Sequence, residues 1–202
     1  NRTQKKEAVE GGLSLTYGND FTIFDKKSSK DIFKFKIANN LRLEENQDLP
    51  GNSQIGKKTS SILNEISYKP NNNLKFKYNS SIKNNLTDIN YENLITEFKI
   101  NNLVTSFEYL NQNSSSDNET FLTNKTDFLI NNSNSISFKT RKNKTIDLTE
   151  YYNLAYQYKN DCLTASIEYD KEYYSDKDIR PNESLLFKLK IIPFNRSNNL
   201  NF

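Results

Sequence analysis

The sequence predicts an all-β protein, an antiparallel transmembrane β-barrel of the outer-membrane type of which about eleven strands are present. Three observations predict this fold. Polar and apolar side chains alternate over many segments, the segments are about as long as the 9 to 11 residues with which a tilted strand crosses a bilayer, and their connections are alternately short and long. Barrels sort their connections between two rims in this way, whereas soluble sandwiches do not.

The connections divide the chain into its elements. The short ones are rich in asparagine and lie at 69–73, 101–102, 131–134 and 160–161, and the longer ones lie at 44–60, 84–90, 111–119 and 174–183. Strands are predicted at 12–24, 31–43, 61–69, 74–83, 91–100, 103–110, 120–130, 135–141, 146–159, 163–173 and 185–192. The parity rule places Pro70, Asn101, Asn132 and Cys162 on the periplasmic rim, and Pro50, Ser115 and Asp178 on the outer rim.

The alternation is clearest at 146–158. One predicted face carries Ile146, Leu148, Glu150, Tyr152, Leu154, Tyr156 and Tyr158, and the other carries mostly polar residues. The segments 74–79 and 163–170 divide in the same way, with one face suited to lipid and the other to water. Tyr68, Tyr109, Tyr158 and Tyr173 lie at predicted strand ends, where they fit an aromatic girdle, although tyrosine is also an ordinary strand former.

Composition agrees with a barrel that has a polar interior. The mean hydropathy is −0.85, only 34% of the residues are hydrophobic, and the net charge of +3 is spread without a basic face. No stretch reaches the roughly 18 apolar residues of a transmembrane helix. The chain starts at Asn1 without methionine or signal peptide. We therefore expect residues 1–202 to be the C-terminal part of a larger barrel, with strands from about 12 to 192 and a polar tail at 193–202.

The sequence contains no pattern that indicates a catalytic site. The chain has no histidine and one cysteine, which excludes histidine-based triads and cysteine zinc sites within it. The acidic pairs Glu44 with Glu45 and Asp176 with Asp178 are interpreted as solvated loop charges. No enzyme activity, metal or cofactor is predicted.

Cys162 lies in a short turn that the parity rule places in the oxidising periplasm. One interpretation is a free, partly buried thiol. The other is a disulfide to a cysteine outside these residues, because an odd cysteine in an exported protein usually pairs.

Several segments together resemble one family. The runs 156–169 and 174–181 and the strand 184–190 resemble the C-terminal end of the lipopolysaccharide-assembly protein LptD, also called OstA, especially its alphaproteobacterial forms. The segment Asp48-Leu49-Pro50-Gly51 and the turn at 66–74 resemble that family's loop and turn in the same order.

The resemblance implies a barrel of about 26 strands in the cell outer membrane, plugged by an LptE-type lipoprotein and supplied with lipopolysaccharide by a periplasmic bridge that reaches the missing N-terminal domain. It also implies that Cys162 forms a disulfide to the N-terminal periplasmic region.

The family implies lateral export of lipopolysaccharide through a seam, the junction at which the first and last strands of the barrel meet. The last strand is predicted at 185–192, with Leu185, Phe187, Leu189 and Ile191 toward lipid and Lys188 and Lys190 toward the lumen. Pro193 either weakens the seam, because proline donates no backbone hydrogen bond, or simply ends the strand. The two lysines are candidates for contact with lipid phosphates.

Two alternatives share part of this pattern. A porin or substrate-specific channel has the same strand pattern with a constriction loop folded inward, for which 44–60 is the candidate. A β-sandwich adhesin is the non-membrane alternative, which the strand lengths and the sorted connections disfavour.

Overall fold

The computed structural model describes residues 11–27, 30–49, 54–113, 118–173 and 182–191. They form β1 (Ser14–Phe24), β2 (Asp31–Arg42), β3 (Ile62–Asn71), β4 (Leu74–Ile82), β5 (Ile89–Ile100), β6 (Leu103–Asn113), β7 (Asn118–Leu129), β8 (Asn134–Asn143), β9 (Leu148–Lys159), β10 (Leu163–Glu172) and β11 (Glu183–Ile191). The strands form one antiparallel sheet in sequence order. The all-β prediction and its eleven strands are confirmed. The largest boundary difference is in β6, which continues to Asn113 instead of ending at Leu110, and the other boundaries differ by two residues or fewer.

The two ends of the strands differ in the length of the connections that join neighbouring strands there. Along one edge, named the short-turn rim, β3–β4, β5–β6, β7–β8 and β9–β10 are joined by the short connections at 72–73, 101–102, 130–133 and 160–162. Along the other, the long-loop rim, β2–β3 is joined by residues 43–61 and β4–β5 by 83–88. The sorting has exceptions. The turn at 144–147 is short although it lies on the long-loop rim, and residues 25–30, which join β1 to β2 at the short-turn rim, are as numerous as residues 83–88.

Asparagine forms the short turns through its side chain. Asn131 Oδ1 accepts from the backbone N–H groups of Ser133 and Asn134, both at 2.9 Å. Asn160 Oδ1 accepts from those of Cys162 at 2.9 Å and Leu163 at 2.7 Å. Asn101 adopts a left-handed φ of 52°, which asparagine tolerates better than most residues. The asparagine-rich turns therefore follow directly from the sequence.

The register keeps one kind of side chain on each face of the sheet. Cross-strand partners continue an apolar row through Phe21, Phe35, Ile66, Tyr78, Leu94, Tyr109 and Leu122. This face is named the outer face. A row on the opposite face, named the polar face, runs through Asp20, Lys36, Glu65, Asn79 and Asn93. The predicted two-faced strands are thus aligned across neighbouring strands.

The sheet has almost no apolar interior of its own. Among described residues the buried hydrophobic side chains are Leu49 and Phe121. On the outer face Phe107, Leu154 and Ile167 are about half exposed, at 52%, 48% and 48%, whereas Asn93 and Ser166 of the polar face are 7% and 8% exposed. An apolar surface of this extent requires a non-aqueous environment or a partner, since each Å² left in water costs about 25 cal/mol. The described residues contain no helix that is long and apolar enough to cross a membrane.

The uninterrupted alternation predicted at 146–158 is wrong at its first residues. Arg141 pairs with Tyr151 and Lys142 with Thr149, so Glu150 is an extra residue in a β-bulge. Because a bulge shifts the period of two by one residue, Leu148 lies opposite Asn143 on the polar face. Ile146, Leu148 and Glu150 therefore do not share the face of Tyr152.

Candidate functional site: the last strand and the polar face

β11 is an edge strand of the described sheet. Its residues Leu185, Phe187, Leu189 and Ile191 lie opposite Tyr169, Ile167, Ala165 and Leu163 of β10. All four project from the outer face and are strongly exposed, at 72%, 68%, 55% and 69%. Among the described strands, β11 pairs with β10 alone. Ile192 and Pro193 lie outside the described residues, and the effect of Pro193 on the seam stays a prediction.

The two predicted lumen lysines differ in their surroundings. Lys188 lies opposite Ser166, and Lys190 lies opposite Thr164, both on the polar face. Lys188 Nζ is 2.5 Å from Glu168 Oε2, so its charge is compensated within the sheet. Lys190 makes no ion pair with any residue in the described ranges. Of the two, Lys190 is the more available to an anionic group.

Cys162 lies in the turn between β9 and β10, on the short-turn rim. It is partly exposed, and its backbone N–H is held by Asn160 Oδ1. It is the single cysteine of the chain, so a disulfide would need a cysteine from elsewhere. That pairing stays a prediction.

Aromatic side chains form contacts on the outer face. Tyr68 stacks on Phe76 near the short-turn rim, with ring centroids 6.4 Å apart. Tyr152 contacts Tyr173 edge-on at 5.8 Å near the long-loop rim. The expectation that Tyr109 lies at a strand end is wrong, because β6 continues beyond it to Asn113. Tyr158 and Tyr173 do lie at or just beyond strand ends, whereas Tyr68 lies three residues before the end of β3.

A charged cluster on the polar face was not predicted. The Arg141 guanidinium carbon lies 3.9 Å from the centroid of the Phe121 ring, and Arg141 Nε is 3.0 Å from Glu150 Oε2. The three residues come from β8, β7 and the bulge of β9. Without the register of these strands and the position of the bulge, no sequence pattern indicates that they meet.

Residues 54–61 of the connection between β2 and β3 fold inward at the long-loop rim. Arg42 of the polar face is 5% exposed, and it donates from Nε to the Ile55 carbonyl at 2.9 Å and from Nη1 to the Gly11 carbonyl at 3.1 Å. Gln54 Oε1 accepts from the Ser61 hydroxyl at 3.3 Å and from the Asn84 backbone N–H at 3.0 Å. The segment 54–61, named the inner segment, is thereby tied to both β2 and the next loop.

The first half of this connection packs tightly against the inner segment. Leu49 is 6% exposed, and a Cβ at Gly56 would lie 2.1 Å from the Asn46 carbonyl oxygen. Only glycine therefore permits the backbone to approach so closely at position 56. Pro50 and Gly51, which contributed to the sequence resemblance, lie outside the described residues.

Acidic side chains of the loops have basic partners. Glu45 Oε2 is 3.3 Å from Lys57 Nζ. A hydrogen bond from Asn85 and the charge of Lys83 lower the pKa of Asp88, and a hydrogen bond from Lys142 lowers that of Asp147. The carboxylates of Asp88 and Asp147 therefore stay charged near neutral pH, whereas a general acid needs a raised pKa. Asp176 and Asp178 lie outside the described residues, and the described residues hold no group of three or more acidic or cysteine side chains arranged for a metal ion.

Comparison with known protein families identifies the chain. The model of the family described as LptD, LPS transport system D, matches residues 1–134. The match covers β1 to β7, including the two upstream segments whose resemblance the sequence indicated. No individual curated protein is similar enough to match. The family match does not resolve a subgroup, so the alphaproteobacterial type stays a prediction. With a match over about two thirds of its residues and a sheet of eleven antiparallel strands, the chain belongs to the LptD family of lipopolysaccharide transport proteins.

Proposed function

We propose that this chain is the C-terminal part of an outer-membrane β-barrel that inserts lipopolysaccharide into the outer leaflet through a lateral seam bordered by β11. The observation that carries the proposal is the separation of a mainly apolar outer face from a mainly polar face across eleven strands that end in the edge strand β11. Membership of the LptD family supplies the transported molecule.

The two faces of the wall match the two parts of the transported lipid. Lipopolysaccharide carries acyl chains on one side and phosphates and sugars on the other. At an open seam the acyl chains would contact Leu185, Phe187 and Leu189, while the polar part would remain beside the polar face near Lys190. Since one edge of β11 is already held by β10, opening the seam requires the other edge alone to part.

The partners follow from the same proposal. An LptE-type lipoprotein would plug the lumen, and a periplasmic Lpt bridge would deliver lipid to an N-terminal domain beyond this chain. Cys162, on the short-turn rim that the proposal places in the periplasm, would be oxidised with a cysteine of that domain. The cell outer membrane is the corresponding location.

A channel function is the second candidate. The observation that favours it is the inner segment, which folds against the polar face as a constriction loop does. In a channel the solute would pass through the lumen, and no strand would need to separate.

A crosslink across the seam distinguishes the two functions. In the full-length protein, a disulfide between Leu189→Cys and a cysteine on the first strand of the barrel should block lipopolysaccharide export while the barrel remains folded, because the bond prevents opening. The readout is surface lipopolysaccharide, with barrel folding followed by heat-modifiable migration on gels.

The matched control is a disulfide that joins two strands inside the wall. Tyr109 and Leu122 are cross-strand partners on the outer face, so Tyr109→Cys with Leu122→Cys should form a bond and leave export intact. Phe121 lies on the same strand as Leu122 but on the polar face, opposite Leu110, and is unsuitable as a partner for Tyr109. Equal export from both crosslinked proteins would contradict lateral release and favour the channel.

A further inference from the structure

A cavity lies between the inner segment and the polar face of β1, β2 and β3. Its volume is about 200 Å³. Arg42 Nε donates to the Ile55 carbonyl and holds Ile55 at the cavity. Residues 58–60 lie beside β2, because the Ser60 N–H donates to the Asn40 carbonyl at 2.9 Å and Leu41 pairs with Thr59. The cavity is lined by Thr16, Ala38, Asn40, Ile55, Ser61 and Leu63, with Asn39 beside them.

One buried amide oxygen on the polar-face side of this cavity lacks a donor. Asn40 is 5% exposed, and its amide nitrogen donates to the Thr16 hydroxyl at 2.8 Å. Within the described part of the chain, Asn40 Oδ1 accepts no hydrogen bond. Asn39 pairs with Tyr17, so its side chain starts from the outer face and does not count toward this site. Because buried acceptors in native proteins are almost always satisfied, Asn40 Oδ1 calls for a hydrogen-bond donor in the cavity.

The lining specifies the chemistry of that molecule. None of the lining residues carries a charge, and the nearby Arg42 guanidinium donates to the Ile55 and Gly11 carbonyls. The lining itself therefore offers no charged partner to a phosphate or an ammonium group. Amide oxygens and hydroxyls suit a neutral group with several hydroxyls, and Ile55, Leu63 and Ala38 suit an apolar C–H surface. A sugar ring presents both. Ordered water could donate hydrogen bonds to the oxygens, but it would leave the apolar side chains in contact with water.

We infer that this cavity binds a sugar ring of the saccharide portion of lipopolysaccharide as it passes the lumen. The inference rests on the proposed function and adds to it a binding site for the neutral part of the substrate. The cavity is formed by β1 to β3 and the seam strand is β11, at the opposite edge of the sheet. The cavity would therefore contact the saccharide inside the lumen and not at the seam.

Site-specific photo-crosslinking in cells tests the site. A benzoylphenylalanine replaces Glu65, which lies on the polar face two residues from Leu63 and outside the cavity lining. The probe is the cell's own lipopolysaccharide, detected with an antibody on the full-length protein. We expect capture at position 65, and a decrease of about three- to tenfold when Asn40→Ser removes an acceptor, which corresponds to the loss of one hydrogen bond.

Asn93→Ser is the matched control. Asn93 is buried on the same face at 7% exposure, its Oδ1 also lacks a donor among described residues, and it does not line the cavity. It should leave capture at position 65 unchanged. Ala38→Val, which fills the cavity without removing a hydrogen-bonding group, should lower capture as Asn40→Ser does. If the Asn40→Ser protein does not assemble, Ala38→Val alone serves as the test.

A strain whose lipopolysaccharide lacks its outer sugars separates sugar binding from lipid binding. Capture at position 65 should be lost in that strain, while capture by benzoylphenylalanine at Phe187 on the outer face should persist. Persistent capture at position 65, or no effect of Asn40→Ser and Ala38→Val, would overturn the inference.

A benzoylphenylalanine at Gln157, on the polar face away from the cavity, separates failure of the site from failure of the proposed function. Capture at Gln157 without capture at position 65 would overturn the sugar site and leave transport standing. Capture at no polar-face or seam position would overturn both.

Discussion

The guanidinium carbon of Arg141 lies over the ring of Phe121, 3.9 Å from the centroid, and Arg141 pairs with Glu150 in the bulge of β9. This contact joins three strands on a face that otherwise has little apolar packing. The side chain of Glu150 is 16% exposed, which strengthens its attraction to Arg141 relative to a fully solvated pair.

Arg141→Ala should therefore lower the free energy of unfolding of the assembled barrel by about 1 to 2 kcal/mol, through loss of the ring contact and the ion pair. Unfolding in urea, followed by heat-modifiable migration, measures the change. Lys139→Ala is the matched control, because Lys139 lies on the same strand and face but 5.5 Å from the centroid of the Tyr151 ring. If Lys139→Ala lowers the free energy of unfolding as much as Arg141→Ala does, the stabilising role of the Arg141 cluster is contradicted.

The orientation of the sheet predicts which turns face the cell exterior. In a Cys162→Ser background, an impermeant thiol reagent should label Ser115→Cys and Lys144→Cys in intact cells, and should not label Asn101→Cys or Asn132→Cys. Lys144 lies in a short turn on the long-loop rim and tests whether that turn shares the orientation of the longer loops. Labelling of the opposite set would reverse the orientation.

Oxidation of Cys162 is a further prediction. The full-length protein should migrate differently on non-reducing and reducing gels, and Cys162→Ser should remove that difference, because the proposed orientation places this turn in the oxidising periplasm. If the difference survives the substitution, the disulfide lies between other cysteines.

The exposed outer face predicts dependence on a membrane-like environment. With Phe107, Leu154 and Ile167 about half exposed, the chain should remain dispersed in detergent micelles and aggregate after the detergent is removed. Size-exclusion chromatography with light scattering measures this. A monodisperse monomer with cooperative unfolding in plain buffer would contradict the assignment of these strands to a barrel wall.

The sequence by itself determined the features that depend on neighbouring residues in one strand or turn. The period of two revealed eleven strands and, except at the start of β9, their two faces, because alternate side chains of any strand point in opposite directions. Asparagines such as Asn131 and Asn160 marked the tight turns, because their side chains bond the backbone two and three residues further along.

Only the tertiary structure decided the features that depend on register. Three such features join segments that are separate in sequence. They are the bulge at Glu150, the contact of Arg141 with the Phe121 ring, and the hydrogen bond from Arg42 to the Ile55 carbonyl. Register is set by the sum of many cross-strand contacts, and a shift of one residue reverses the face of every side chain in a strand. For this reason the strands and turns were predictable, whereas the cavity below the inner segment emerged only from the assembled sheet.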